Sequence, residues 1–124
     1  MPILNIMLPT GKSEAQKTAL LKQTTQAVID SLNAPISNIR ITLQEVAPEN
    51  AIIAGEFGRP FALVHAILIS GRTPELKASF IKAVAQAIES TVGISKQDSR
   101  VIIYDTPVTD MGVAGGITAQ AAGR

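Results

Sequence analysis

The chain matches itself at a shift of 60 residues, and this internal register restricts the possible folds more than any other property of the sequence. Identical residues recur at Leu8 and Leu68, Gly11 and Gly71, Lys17 and Lys77, Lys22 and Lys82, Gln26 and Gln86, and Ala27 and Ala87. They continue at Arg40 and Arg100, Ala54 and Ala114, and Gly55 and Gly115, with Lys12 opposite Arg72 and Ser13 opposite Thr73. No gap is needed anywhere. A repeat of this length is too long for one turn of a solenoid and reads as a duplicated supersecondary unit. In a chain of 124 residues it predicts one domain made of two repeats, about 1–58 and 59–124.

Each repeat has the pattern strand, helix, strand. Ile3 to Leu8 and Leu63 to Ile69 are short aliphatic runs closed by Pro9 and by Ser70-Gly71. Ser13 stands three residues before Gln16 as a capping box, and Thr73-Pro74-Glu75 combines an N-cap, a first-turn proline and a first-turn acid. Helical spacing then links Leu20, Leu21, Thr24, Val28, Ile29 and Leu32, and likewise Phe80, Ile81, Val84, Ile88 and Val92. Asn33-Ala34-Pro35 and Gly93 end the helices, and extended structure resumes at Arg40 to Val46 and Arg100 to Tyr104. A strand, crossover helix and strand imply a parallel pair, so the expected fold is α/β: two tandem β-α-β repeats forming a four-stranded sheet with two helices on one face. Pro48 to Pro60 joins the repeats, and Gly112 to Gly116 is the matching loop or hairpin.

Leu63-Val64-His65-Ala66-Ile67-Leu68-Ile69 shows no alternation and reads as a strand buried on both faces. Two helices cover only one face of a sheet. The other needs a partner, so the chain is expected to form a homo-oligomer.

Composition removes several function classes. With eleven Lys and Arg against ten Asp and Glu, the net charge of +1 creates no field for nucleic acid or an anionic membrane surface, and four aromatic residues are too few for a base-stacking platform. There is no cysteine, which excludes thiolate metal sites and a cysteine nucleophile. The single histidine, His65, lies within an apolar run, where it reads as a core or interface residue, and neither a histidine-rich zinc site nor a Ser-His-Asp triad can be assembled from it. Tyr104 reads as packing. No signal segment or apolar run of spanning length is present, so the expected compartment is the cytoplasm.

What remains is carboxylates, Lys, Arg and the amino terminus. Methionine is removed when the next residue is small, so the mature chain is expected to begin with the secondary amine of Pro2. An α-amino group titrates near about 7.7 to 8.0, and apolar surroundings together with nearby cations disfavour its ammonium form. A sufficiently depressed amine is a general base at neutral pH.

Pro2-Ile3, Gly11-Lys12-Ser13, Gln16-Lys17, Ala34-Pro35-Ile36-Ser37-Asn38-Ile39-Arg40 and Gly55, in that order, resemble a 4-oxalocrotonate tautomerase subunit. Gly71-Arg72-Thr73, Lys77, Arg100 and Gly112-Val113-Ala114-Gly115-Gly116 repeat the set, so the whole chain resembles the fused, double-length form of that tautomerase superfamily. The resemblance implies a cofactor-independent keto-enol isomerase in which Pro2 moves a proton from a 2-hydroxy-2,4-dienoate or enolpyruvate-type acid to carbon. Arginines hold the carboxylate and the developing dienolate, roles that fall on Arg40 and Arg100, and on Lys12 and Arg72. A hydrophobic pocket residue falls on Ala51 and Met111, and the family's six-unit rings imply a homotrimer. Two positions depart from the family pattern: Ala62 stands at the second proline position, and Lys12 replaces an arginine, which points to a monocarboxylate or differently shaped substrate. With its own proline missing, the second repeat leaves Arg72 open to a structural or inter-subunit role as well as a catalytic one. A hydratase-dehalogenase or decarboxylase on the same scaffold, using Glu45, Glu49, Glu56 or Asp110, is the alternative chemistry, and a catalytically idle binding protein is the more distant one.

Overall fold

The computed structural model describes residues 2–124. The first repeat runs from β1 (Ile3–Pro9) through α1 (Glu14–Leu32) to β2 (Arg40–Val46), and a small hairpin follows, formed by β3 (Ile52–Ile53) and β4 (Glu56–Phe57). The second repeat follows the same course, from β5 (Ala62–Ile69) through α2 (Pro74–Val92) to β6 (Ser99–Thr106), with a hairpin of β7 (Gly112–Val113) and β8 (Ile117–Thr118).

Local chemistry sets the helix limits. Ser13 Oγ accepts from Gln16 N–H at 3.1 Å while Gln16 Oε1 accepts from Ser13 N–H at 3.0 Å, closing the expected capping box. Thr73 caps α2 by accepting from Leu76 N–H, with Pro74 at the first helical position. Both helices stop at a left-handed residue, Asn33 at φ 54° and Gly93 at φ 72°, the conformation that asparagine and glycine tolerate best.

The sheet order is β2-β1-β5-β6. Strands are parallel within each repeat and antiparallel where β1 meets β5, so the repeats are related by an approximate twofold axis between those two strands. Alternate residues of the central strands, Leu4, Ile6 and Leu8 and then Ala62, Val64, Ala66 and Leu68, form one core with the apolar faces of the two helices. Phe80, Leu20, Val28 and Ile88 are fully enclosed there, and burial of side chains this size is worth about 1.5–3 kcal/mol each. Of the residues at helical spacing, Leu21 and Ile29 are half-buried and Ile81 is exposed, so each buried stripe is narrower than the sequence pattern suggests.

The continuous apolar run in β5 does not produce a strand enclosed on both sides in the single chain. Ala62, Val64, Ala66 and Leu68 are buried, whereas Leu63 and His65 are half-exposed and Ile67 is 36% exposed on the side away from the helices. On the same strand order, Ile102 (43% exposed) and Tyr104 (45%) extend that apolar face onto β6. His65 Nδ1 and the Tyr104 hydroxyl form a hydrogen bond of 2.8 Å across it. The run in β5 therefore encodes one face for the core and a second that one chain leaves open.

Candidate active site

Pro2 is buried immediately before β1, and its carbonyl accepts the Arg40 N–H at 3.0 Å. Its register follows from its neighbours, because Ile3 pairs with Arg40 on one side and with Ile67 on the other. Since β1 and β5 are antiparallel, the head of β1 lies beside the tail of β5. That tail ends at Ile69, whose carbonyl accepts Arg72 Nη1 at 3.0 Å. Pro2, Arg40 and Arg72 consequently share one end of the sheet, although Arg72 belongs to the other repeat. The expected loss of Met1, on which a free Pro2 amine depends, lies outside the described residues.

The opposite end carries the matching set with two changes. Ala62 replaces proline there, Lys12 follows the tail of β1, and Arg100 pairs with Leu63 at the head of β5. A single chain therefore does not bring Lys12 or Arg100 to Pro2.

Arg40 and Arg100 are held alike. Nη1 of Arg40 donates to the carbonyls of Ser37 (2.9 Å) and Ile39 (3.3 Å), and Nη1 of Arg100 to those of Gln97 (2.9 Å) and Ser99 (3.0 Å). Both side chains bend back over the short 3-10 turn that precedes the strand and are exposed. A guanidinium has five N–H donors, so these bonds fix its position without exhausting it.

Arg72 is the half-buried cation of the group. Loss of solvent lowers its pKa from the ordinary value, and the nearby Asp105 carboxylate raises it in part. The guanidinium stays charged at any physiological pH. Asp105 itself pairs with Lys77, the repeat counterpart of the pair between Lys17 and Glu45 at 2.8 Å.

The two hydrophobic candidates separate in the same way. Met111 is 5% exposed and packs with Ile69 and Ala119, with Val108 and Val113 against them, at the Pro2 end. Ala51 instead lines a concavity that also holds Lys12, at the Ala62 end. Sequence reasoning missed Ala119, which is fully buried and bonded through its N–H to the Met111 carbonyl at 2.8 Å. No motif marks it. By the 60-residue register it stands opposite Arg59, an exposed residue of the first repeat.

An α/β chain of two β-α-β repeats with a buried proline and arginines at one sheet end defines a class, and comparison with known proteins identifies it. The family model described as "Tautomerase enzyme" matches residues 2–58 and again 62–120. The 2-hydroxymuconate tautomerase of Pseudomonas putida is 41% identical over 63 residues, covering 48% of this chain and all of that protein. The enzyme of the same name from Comamonas testosteroni is 38% identical over 63 residues with the same coverage. Among solved structures, the wild-type fused 4-OT Q0, a symmetric trimer, superposes with a TM-score of 0.96 at 48% identity over 98% of this chain and 99% of that one. A native fused 4-OT gives 0.92 at 38% identity over the same shares. Macrophage migration inhibitory factor from Toxoplasma gondii, at 22% identity and a TM-score of 0.79 over 90% of this chain, shares the fold. The chain belongs to the tautomerase family, as a fused, double-length protein of the 4-oxalocrotonate tautomerase type, and is an isomerase.

Proposed function

We propose that the chain ketonises a 2-hydroxy-2,4-dienoate or enolpyruvate-type acid without a cofactor, using the amine of Pro2 as general base. The observation that carries this reading is the meeting of Pro2, Arg40 and Arg72 at one end of the sheet. The neutral amine takes the proton of the substrate's 2-hydroxyl, negative charge spreads over the dienolate, and the resulting prolinium returns the proton to carbon. No atoms are gained or lost. Arg72, partly shielded from water, holds the carboxylate or the developing oxyanion, where a fixed cation is worth more than in bulk solvent. Burial of Pro2 at the sheet end that also carries that cation disfavours its protonated form, as a base at neutral pH requires.

The assembled enzyme is a homotrimer in this reading. Its support is the open apolar face of β5 and β6 and the trimeric state of the fused 4-OT relatives. Arg100 lies at the far end of its own sheet and serves a Pro2 only from a neighbouring copy. Lys12, an expected substrate contact, shares that far end, so the cations contributed within the chain are Arg40 and Arg72. The partners are small carboxylates, with no role for nucleic acid. No described helix is long and apolar enough to cross a membrane, and the expected compartment is the cytoplasm.

The hydratase or decarboxylase alternative needs a free carboxylate beside the proline. Glu45 is engaged by Lys17, and Glu49 and Glu56 flank the other end. Asp110, adjacent to Met111, is the acid of the four at the Pro2 end, and it accepts from the Thr109 hydroxyl at 2.8 Å. Ultraviolet absorbance separates the readings when 2-hydroxymuconate and phenylenolpyruvate are offered to processed protein. Saturable ketonisation that collapses in Pro2→Ala and persists in Asp110→Asn is the expected result. Turnover of neither enol would sink the tautomerase assignment to these substrates.

A further inference from the structure

The Ala62 end of the sheet has lost its amine but not its pocket. A concavity of about 310 Å3 opens there between the turn after β1, the end of β2 and the segment joining the repeats. Pockets of this size hold small organic ligands. Its wall is apolar at Val46, Ala51, Phe61 and Ile94, and its two charged residues are Lys12 and Arg59. No carboxylate lines it. Among the described residues Lys12 has no ion-pair partner, and Arg59 has only a long contact of 3.9 Å to the exposed Glu56. Phe61 and Ile94 are only 9% and 2% exposed, so the apolar wall is held by the core rather than by loops alone.

We propose that this pocket is a second, non-catalytic site for a small monocarboxylate with an apolar tail. The carboxylate meets Lys12 and Arg59, and the tail lies against Phe61 and Val46. Chemistry does not follow binding there, because the backbone nitrogen of Ala62 is an internal amide. Its lone pair is delocalised into the peptide bond and accepts no proton at neutral pH. Two cations lining a pocket that no carboxylate lines select an anion, and one carboxylate suffices to answer them. The site thus recognises the same chemical class as the Pro2 end without consuming it, and it stands independently of which reaction Pro2 performs.

The probe is trans-cinnamate, followed by amide chemical shifts in the full-length protein and by isothermal titration. Saturable shifts at Gly11 and Gly58 are expected, in addition to any at Gly71 near Pro2. In Arg72→Ala, which weakens the Pro2 end, binding at Gly11 and Gly58 should persist. In Arg59→Ala, an exposed side chain whose loss leaves the core untouched, it should weaken about tenfold or more, the size of one lost charge-assisted hydrogen bond. Shifts confined to Gly71 and its neighbours would overturn the proposal. So would unchanged affinity at Gly11 and Gly58 in Arg59→Ala, or abolition of all binding by Arg72→Ala. Loss of enol turnover with cinnamate still bound at Gly11 and Gly58 would count against the Pro2 reading alone.

Discussion

The two repeats share a backbone, a capping scheme and an ion pair, yet they have diverged where their sheet ends differ in use. The first supplies Pro2 and Arg40 to one end and Lys12 to the other. The second supplies Arg72 to the first end and Ala62 and Arg100 to the second. Each end is a composite, so a substitution in one repeat changes the environment of a residue in the other. Divergence after duplication therefore did not make one good repeat and one poor one. It made one end that keeps a proline and the shielded Arg72 guanidinium, and one that keeps a pocket and the point charge of Lys12.

The largest test of that asymmetry is Pro2→Ala, which should lower kcat/KM for an enol substrate by about 10²- to 10⁴-fold, the usual worth of a positioned general base. The pH profile adds to it. With Pro2 as the proposed general base the active amine is the neutral form, so the rate should rise with pH through the Pro2 pKa. Arg72→Ala comes next, with an expected loss of about 10²-fold, on the scale of one removed oxyanion donor. The loss in Lys12→Ala should be at least about tenfold smaller, because Lys12 sits at the other end. Equal losses would mean that assembly brings Lys12 of another copy to Pro2, and would end the composite description.

Mixing inactive variants sharpens the same point. If Arg100 acts across copies, co-refolded Pro2→Ala and Arg100→Ala chains should recover up to about one quarter of full activity by statistical pairing in a closed ring. Pro2→Ala mixed with Arg72→Ala should recover none, since those residues meet within one chain.

Smaller effects concern stability. Met111→Ala should cost about 2 kcal/mol, the low end of large-to-small substitutions, because its cluster is a satellite of the main core. Thermal unfolding reads it directly. In the opposite direction, Thr24 is fully buried on α1 with its hydroxyl unbonded among the described residues, while its repeat mate Val84 is fully buried on α2. Thr24→Val should stabilise the chain by about 1 kcal/mol by removing an unsatisfied polar group. A loss of stability would show that the hydroxyl has a partner in the assembled protein.

The repeat register, both N-caps, both helix stops and the parallel pairing within each repeat were legible from local residues, because each rests on short-range chemistry. The antiparallel meeting of β1 with β5 was not. Nothing in Ile3 to Leu8 or Leu63 to Ile69 encodes which strand edges join, and that junction alone carries Arg72 to Pro2. For the same reason the sequence left open which repeat's cation, Lys12 or Arg72, shares an end with Pro2. The hairpins show a subtler slip. Ile52–Ile53 and Glu56–Phe57 close over Ala54-Gly55, with Ala54 held at φ 52° and Gly55 at φ 81°. Gly112–Val113 and Ile117–Thr118 close over three residues, with Gly115 and Gly116 at positive φ. The gapless 60-residue match therefore conceals a one-residue change in strand pairing, which shows only once the hydrogen bonds are known.

The bond between the Pro2 carbonyl and the Arg40 amide shows a division of labour within a single residue. That bond holds the head of β1 through the Pro2 oxygen and does not engage the Pro2 nitrogen. A reactive group placed there can change its protonation without loosening any rung of the ladder. At the other end, nitrogen 62 lies inside a continuous peptide, which commits it to the chain. Restoring chemistry to that end would therefore require a cut in the backbone as well as a change of side chain.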